Sequence, residues 1–331
     1  MFGSLLKTYS ETSKPLDMFN LGIMFIPNAN VTHPAPQIGV FSGGVVSGWG
    51  TTNVSHKVDF TNNTANGSFG NLGASRSQMS AGVASADGVG AVGGGGNQLT
   101  NMYKVDFSND TANGSFGALA VGRKKSCNMS SGDGVGAFCG GTTDATNMSN
   151  DSDKITFSNS TSNGAFGNLA NGRRYAAACS SNDGVGAACG GNISGTNYST
   201  DSDRIDFSNN TANGSFGNLA TGRRDTTGAS SCDGRGLVVG GQVGGGYTSD
   251  TDLITFSNNT ANGSFGALSG TAASRMGVSA TGVAVFSGGG LGGNFFSTDS
   301  DKVDFDAGTA NGNFGALGTG RYDGAGTGYQ V

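Results

Sequence analysis

Hydrophobic and polar positions alternate along this chain in short bursts. In "RIDF" (204–207), Ile205 and Phe207 fall on one side and Arg204 and Asp206 on the other, the period-two pattern of a half-buried strand. Upstream, "RYAAACSS" (174–181) is a run of small residues, "NDG" predicts a tight turn with φ > 0, and "VGAACGG" (185–191) runs back to a double glycine. Downstream, "NNTANG" predicts a second turn, and "SFGNL" (215–219) a fourth strand carrying Phe216 and Leu219. Strands this short, joined by turns this tight, leave no room for helix.

The same twenty residues recur. "KVDFSNDTANGSFGALAVGR" (104–123) has near-copies from Lys57, Lys154, Arg204, Leu253 and Lys302, and the Thr-Ala-Asn-Gly or Thr-Ser-Asn-Gly tetrad begins at Thr64, Thr111, Thr161, Thr211, Thr260 and Thr309. A period of about 50 residues belongs with propeller repeats rather than helical hairpins. One four-stranded sheet of this size cannot bury both faces, whereas sheets stacked around an axis bury Phe, Ile and Leu between neighbours. The innermost strands then need small side chains, as in "AAACSS" (176–181) and "GAGTG" (324–328). That need accounts for much of the chain's 62 glycines.

These units resemble the kelch repeat. Arg123, Gly140-Gly141, Asp153, Phe157, Phe166 and Arg173 follow its order of arginine, double glycine, aspartate and aromatic strands. The likeness covers residues 37–331; it departs where Phe replaces the usual outer Trp and where "SGTAASR" shifts Arg275 by three positions. Aligned on Arg321, the C-terminal end stops where "QIGVFSGG" (37–44) resumes. The expected fold is therefore all-β: a six-bladed kelch-like β-propeller with four antiparallel strands per blade. Its last blade would join an inner strand from 321–331 to outer strands from 38–72, with residues 1–36 as a separate extension.

Charge is sparse, 18 basic against 23 acidic residues for a net −5. No basic stripe is present to displace counterions from phosphates, which argues against nucleic acid. No apolar run approaches the ~18 residues of a membrane span, and the N-terminal segment lacks the pattern of a secretory signal. The five cysteines show no disulfide or zinc spacing. Cys127 and Cys139 flank the turn at Asp133 symmetrically, so a cross-strand bridge is geometrically conceivable, but buried free thiols are the preferred reading.

Catalytic candidates are scarce. Glu11 is the sole glutamate and His33 and His56 the two histidines, so acid–base and glycosidase arrangements lack their usual members. "GGGG" (93–96) is a weak phosphate loop, because no helix follows it. The sequence is read as non-enzymatic, with no cofactor. Asp-x-Asp pairs at Asp151/Asp153, Asp201/Asp203, Asp250/Asp252 and Asp299/Asp301 could offer oxygen ligands to Ca²⁺. The favoured reading is structural, with the second Asp bonding backbone in its turn.

The loops between second and third strands vary most, and each carries a large side chain: Trp49, Tyr103, Met148, Tyr198, Tyr247 and Phe296. Strand polarity puts all six on one face, where they would either bind sugars or a protein or tuck over neighbouring sheets. The units are also similar to kelch-like propellers of tailed-bacteriophage virion appendages, in a run such as Phe166-Gly-Asn-Leu169, Arg173, Ser181, Asp183, Gly186 and Gly190-Gly191. That resemblance implies a virion structural protein: a tail fibre, head fibre or capsid decoration, assembled in the host cytoplasm and displayed on the particle. Residues 1–36 would contact other virion proteins, and the loop face a host-surface glycan or receptor. The alternatives are a bacterial surface or secreted kelch-type adhesion protein, or an intracellular kelch scaffold.

Overall fold

A computed structural model describes residues 37–331 except 80–81, 145, 195–196, 292–295 and 329–331. The expected virion anchor, 1–36, lies outside the described residues. The chain divides after Pro36, and residues 37–331 form one compact unit. Among the described residues the regular structure is strand, apart from 3-10 turns at Ser47–Trp49 and Phe256–Asn258. No helix among them is long and apolar enough to cross a membrane.

The strands form four-stranded antiparallel sheets. In one, Ala177–Ser180, Val185–Cys189, Ser202–Asp206 and Thr211–Ser215 lie side by side in chain order. Sheets beginning at Val83, Cys127, Thr227 and Met276 repeat that order. Another draws on both ends of this unit. Ala325–Gly328 pairs with Ile38–Ser42, Thr327 opposite Val40, and Ser55–Asp59 and Thr64–Ser68 follow outward. The fold is all-β and of β-propeller type.

The outermost strand differs from the sequence expectation. The Thr-Ala-Asn-Gly tetrad is the strand itself, not the turn before it, and Phe216 and Leu219 lie beyond the end of Thr211–Ser215. The reversal is made one residue earlier, where Asn63, Asp110, Ser160, Asn210 and Asn259 hold φ between 50° and 55°. Asn and Asp tolerate this left-handed region better than most residues. The tetrad then extends with its alanine turned inward; Ala65, Ala112, Ala212, Ala261 and Ala310 are fully buried.

Neighbouring sheets meet through one recurring joint. Phe rings pair edge-on or tilted as Phe69–Phe107, Phe116–Phe157, Phe166–Phe207, Phe216–Phe256, Phe265–Phe305 and Phe314–Phe60, with centroids 5.8–6.2 Å apart. A backbone bond accompanies most of these pairs, such as Gly167 N–H to Asn210 O at 2.7 Å and Gly315 N–H to Asn63 O at 2.9 Å. Aromatic pairs in this geometry add roughly 0.5–1.5 kcal/mol beyond their burial. The apolar clusters likewise span two sheets, as where Met129 and Cys139 pack with Ile205 and Phe207. Nearer the centre the first strands approach backbone to backbone. A Cβ on Gly326 would lie 2.0 Å from Gly277 O, and one on Gly228 would lie 2.2 Å from Ala178 O. Only glycine fits such an approach.

Cys127 stands directly opposite Cys139 in adjacent strands, and both are buried free thiols. Burial raises the thiol of Cys127 well above its usual range and that of Cys139 to about 11, so neither supplies a reactive thiolate.

Candidate binding face

In each sheet the second strand ends opposite the start of the first: Cys139 faces Cys127, Cys189 faces Ala177 and Val239 faces Thr227. The hairpins after the double glycines therefore share one end with the segments entering the first strands. Bridges join the two directly, at Lys124–Thr142, Arg174–Asn192, Arg224–Gln242, Ala273–Gly290 and Val45–Tyr322.

The six large side chains expected on these hairpins fare differently, and Tyr103 is not on one: it lies within the third strand Asn101–Asp106, opposite Val92. Trp49 is 59 % exposed and Tyr247 39 %, whereas Tyr103, Met148, Tyr198 and Phe296 are half-buried. Tyr103 lies against the Arg76 guanidinium, 4.8 Å from its ring centroid, and Tyr198 against Arg224 at 5.3 Å. Met148 bridges back to Thr142 within its hairpin. Trp49 and Phe296 come together, with Tyr322 as a third ring. The sequence reading missed Tyr322, since it enters from the C-terminal strand rather than from a hairpin.

A second set of side chains was missed as a group. Gln78, Lys125, Tyr175, Asp225, Ser274 and Asp323 sit just before the first strands, each with φ between 53° and 60°. Lys125 N–H bonds Gln78 O, Tyr175 N–H bonds Lys125 O, Ser274 N–H bonds Asp225 O and Asp323 N–H bonds Ser274 O, at 2.8–3.3 Å. Their side chains line a central cavity of about 60 Å³. Glycine would hold this left-handed conformation without strain. The chain keeps polar side chains there instead, and Lys, Tyr and Gln tolerate it poorly. The signal in the sequence was a position two residues after the repeated arginine, or directly before it at the displaced Arg275, that changes at nearly every unit.

The electrostatics of this ring are uneven. Lys125 lies over the Tyr175 ring, Nζ 4.1 Å from the centroid, and hydrogen-bonds its hydroxyl. Burial lowers the lysine's pKa. Ser274 Oγ donates to Asp225 Oδ1 at 3.5 Å. Burial, and then the nearby Asp323 carboxylate, push Asp225 up to about 6. Asp323 is raised by its own burial, and burial followed by Asp323 and Tyr247 raises the Tyr322 phenol. The cavity thus gathers hydrogen-bond acceptors on the Asp225–Ser274–Asp323 side and donors on the Lys125–Tyr175 side.

The Asp-x-Asp pairs have another role than the turn bonding expected of them. The second carboxylate of each takes the buried arginine that precedes the first strand of its own sheet: Arg123–Asp153, Arg173–Asp203 and Arg275–Asp301 at 2.8 Å, and Arg223–Asp252 at 2.6 Å. Arg275, displaced in sequence, reaches its carboxylate through Nη1, whereas the other three use Nη2. The arginine holds each carboxylate as a counterion, so the loop oxygens are not grouped as a cation cage. Among the described residues no cluster of three or more His, Cys, Asp or Glu side chains is placed to hold a metal. Two of the repeated arginines have, among the described residues, another partner in place of a carboxylate: Arg76 has Tyr103, and Arg321 has His56, whose Nε2 lies 3.2 Å from Nη2. Burial and the Arg321 charge lower His56 to about 4, so it is neutral near pH 7.

No protein-family model matches the chain, and no curated protein matches it. Among solved structures it is similar to that of YjhT, at 15 % identity and a TM-score of 0.64, over 84 % of this chain and 97 % of YjhT. At that identity the likeness speaks for the β-propeller-like fold alone.

Proposed function

We propose that residues 37–331 form a kelch-like propeller of six blades, closed by the pairing of Ala325–Gly328 with Ile38–Ser42, and that it acts without catalysis as a displayed bacteriophage virion protein, a fibre or capsid decoration. The Phe314–Phe60 joint supports closure, since it repeats the geometry of the other sheet-to-sheet joints. The observation that carries a binding role is the ring of non-glycine left-handed residues beside the exposed hairpins, all at one end of near-constant sheets. Strained positions bearing varied polar side chains on a rigid scaffold are the mark of a recognition surface. The partner is a host-surface glycan or protein, and the virion assignment rests on the sequence resemblance. Residues 1–36 are proposed as the attachment to other virion proteins.

Mass spectrometry of purified particles tests this reading, comparing the full chain with a variant lacking residues 1–36. The full chain should be found in particles, and the truncated chain should fold yet be missing from them. Absence of the full chain from particles, or normal incorporation of the truncated one, would overturn the assignment.

A further inference from the structure

Three rings from two hairpins and the C-terminal strand meet at one sector of the binding face. Phe296 stacks on Tyr322 with centroids 5.2 Å apart and planes 12° from parallel, and Trp49 stands at 88° to both. Trp49 remains 59 % exposed despite these contacts. Its backbone is left-handed at φ 62°, directly after Gly48 at φ 81°, an uncommon conformation for a bulky residue. Tyr103 and Tyr198, by contrast, are taken up by Arg76 and Arg224. Tyr322 leads straight into Asp323, which lines the central cavity with Ser274 and Asp225.

We propose that this sector binds a neutral or amine-bearing saccharide, its apolar ring face on Trp49 and its hydroxyls donating to Asp323 and Asp225. The inference rests on the binding reading above and narrows it to one ligand class and one part of the face. An open aromatic face beside a few fixed acceptors matches a ligand that is flat and apolar on one side and hydroxylated at its edge. A protein hot spot would instead call for a deep, fully desolvated pocket. Two carboxylates at the polar edge repel uronic and other acidic sugars while accepting hydroxyl or ammonium protons.

Trp49 is the chain's single tryptophan, so its emission reports on this sector alone. The full chain would be titrated with glucose, galactose, mannose, N-acetylglucosamine, glucosamine, maltotriose and chitotriose, with glucuronic acid as the acidic control. At least one neutral or amino sugar should shift the emission saturably, and glucuronic acid should not. Asp323→Asn should weaken that binding roughly tenfold or more, the loss of a hydrogen bond to a charged acceptor. No saturable shift with any sugar overturns the saccharide assignment, and so does tighter binding of glucuronic acid. Unchanged affinity in Asp323→Asn overturns the role of the carboxylate. Adsorption of particles carrying Trp49→Ala to their host cells separates this failure from that of the broader reading. If adsorption is lost although no sugar binds, the partner is a protein: the saccharide inference falls and the binding face stands.

Discussion

Changing Asp203 to alanine leaves the Arg173 guanidinium buried with carbonyl partners alone. The arginine side chain is fully buried. Its Nη1 donates to Gly190 O at 2.9 Å and Asp201 O at 2.8 Å, with Ala188 O at 3.5 Å, its Nη2 donates to Asp203 Oδ2 at 2.8 Å, and its Nε finds no partner among the described residues. Removing one member of a buried pair costs about 3–5 kcal/mol, because the remaining charge stays desolvated. Three carbonyls persist, which points to the lower end, about 3 kcal/mol. In a domain of this size that lowers the melting temperature by roughly 5–10 °C. Burial raises Asp203 in spite of Arg173 beside it, so desolvation outweighs the attraction between them. It follows that replacing both partners by apolar residues, Arg173→Met with Asp203→Leu, should recover most of the loss. Calorimetric melts of the parent, each single variant and the double variant close the cycle. A melting temperature for Asp203→Ala within about 2 °C of the parent, or a double variant no more stable than the single, would refute the reasoning.

Two other expectations concern the sheet that joins both ends of this unit. His56 is held to about 4 in the folded protein, against about 6.5 in an unfolded chain. The unfolded state therefore takes up the proton first, and stability should fall as pH drops from about 6.5 to 4, by roughly 1–2 kcal/mol after allowance for solvent screening. His56→Gln should flatten that part of a melting-temperature–pH profile, and an unchanged slope would rule His56 out as its source. Deleting residues 322–331 removes the strand that pairs with Ile38–Ser42 and should destabilise the whole unit rather than fray one end. A melting temperature equal to that of the full chain would count against ring closure.

Much of the strand order was legible because two periods coincide in the sequence, alternation within a strand and the fifty-residue return of Thr-Ala-Asn-Gly. The misplaced outermost strand has a local cause. Asn-Gly is a strong turn signal, but at Asn213-Gly214 it lies within Thr211–Ser215, and the left-handed residue is Asn210. The buried arginines were visible as repeated residues, yet their partners lie about thirty positions away and were assigned to their own turns. Exposure depends on neighbours no pattern reveals: Tyr103 belongs to the third strand, opposite Val92, at the position held by His56 in the sheet that carries Trp49, and there the Arg76 guanidinium engages it, whereas Trp49 stays on its hairpin and exposed. The ring at the cavity stayed hidden for the opposite reason. Its six positions share a backbone conformation and no residue type, so a search for repetition passes over them.

The Phe joint between sheets has a consequence for how such a gene can change. Each unit offers the same ring forward and receives the same ring behind, so the seam is indifferent to which unit lies on either side. The repeats are near-identical in amino-acid sequence at this boundary, and an in-register exchange there would move a complete hairpin and cavity residue as one cassette. Specificity can then be shuffled in whole modules, with the contacts that hold the sheets together left as they were.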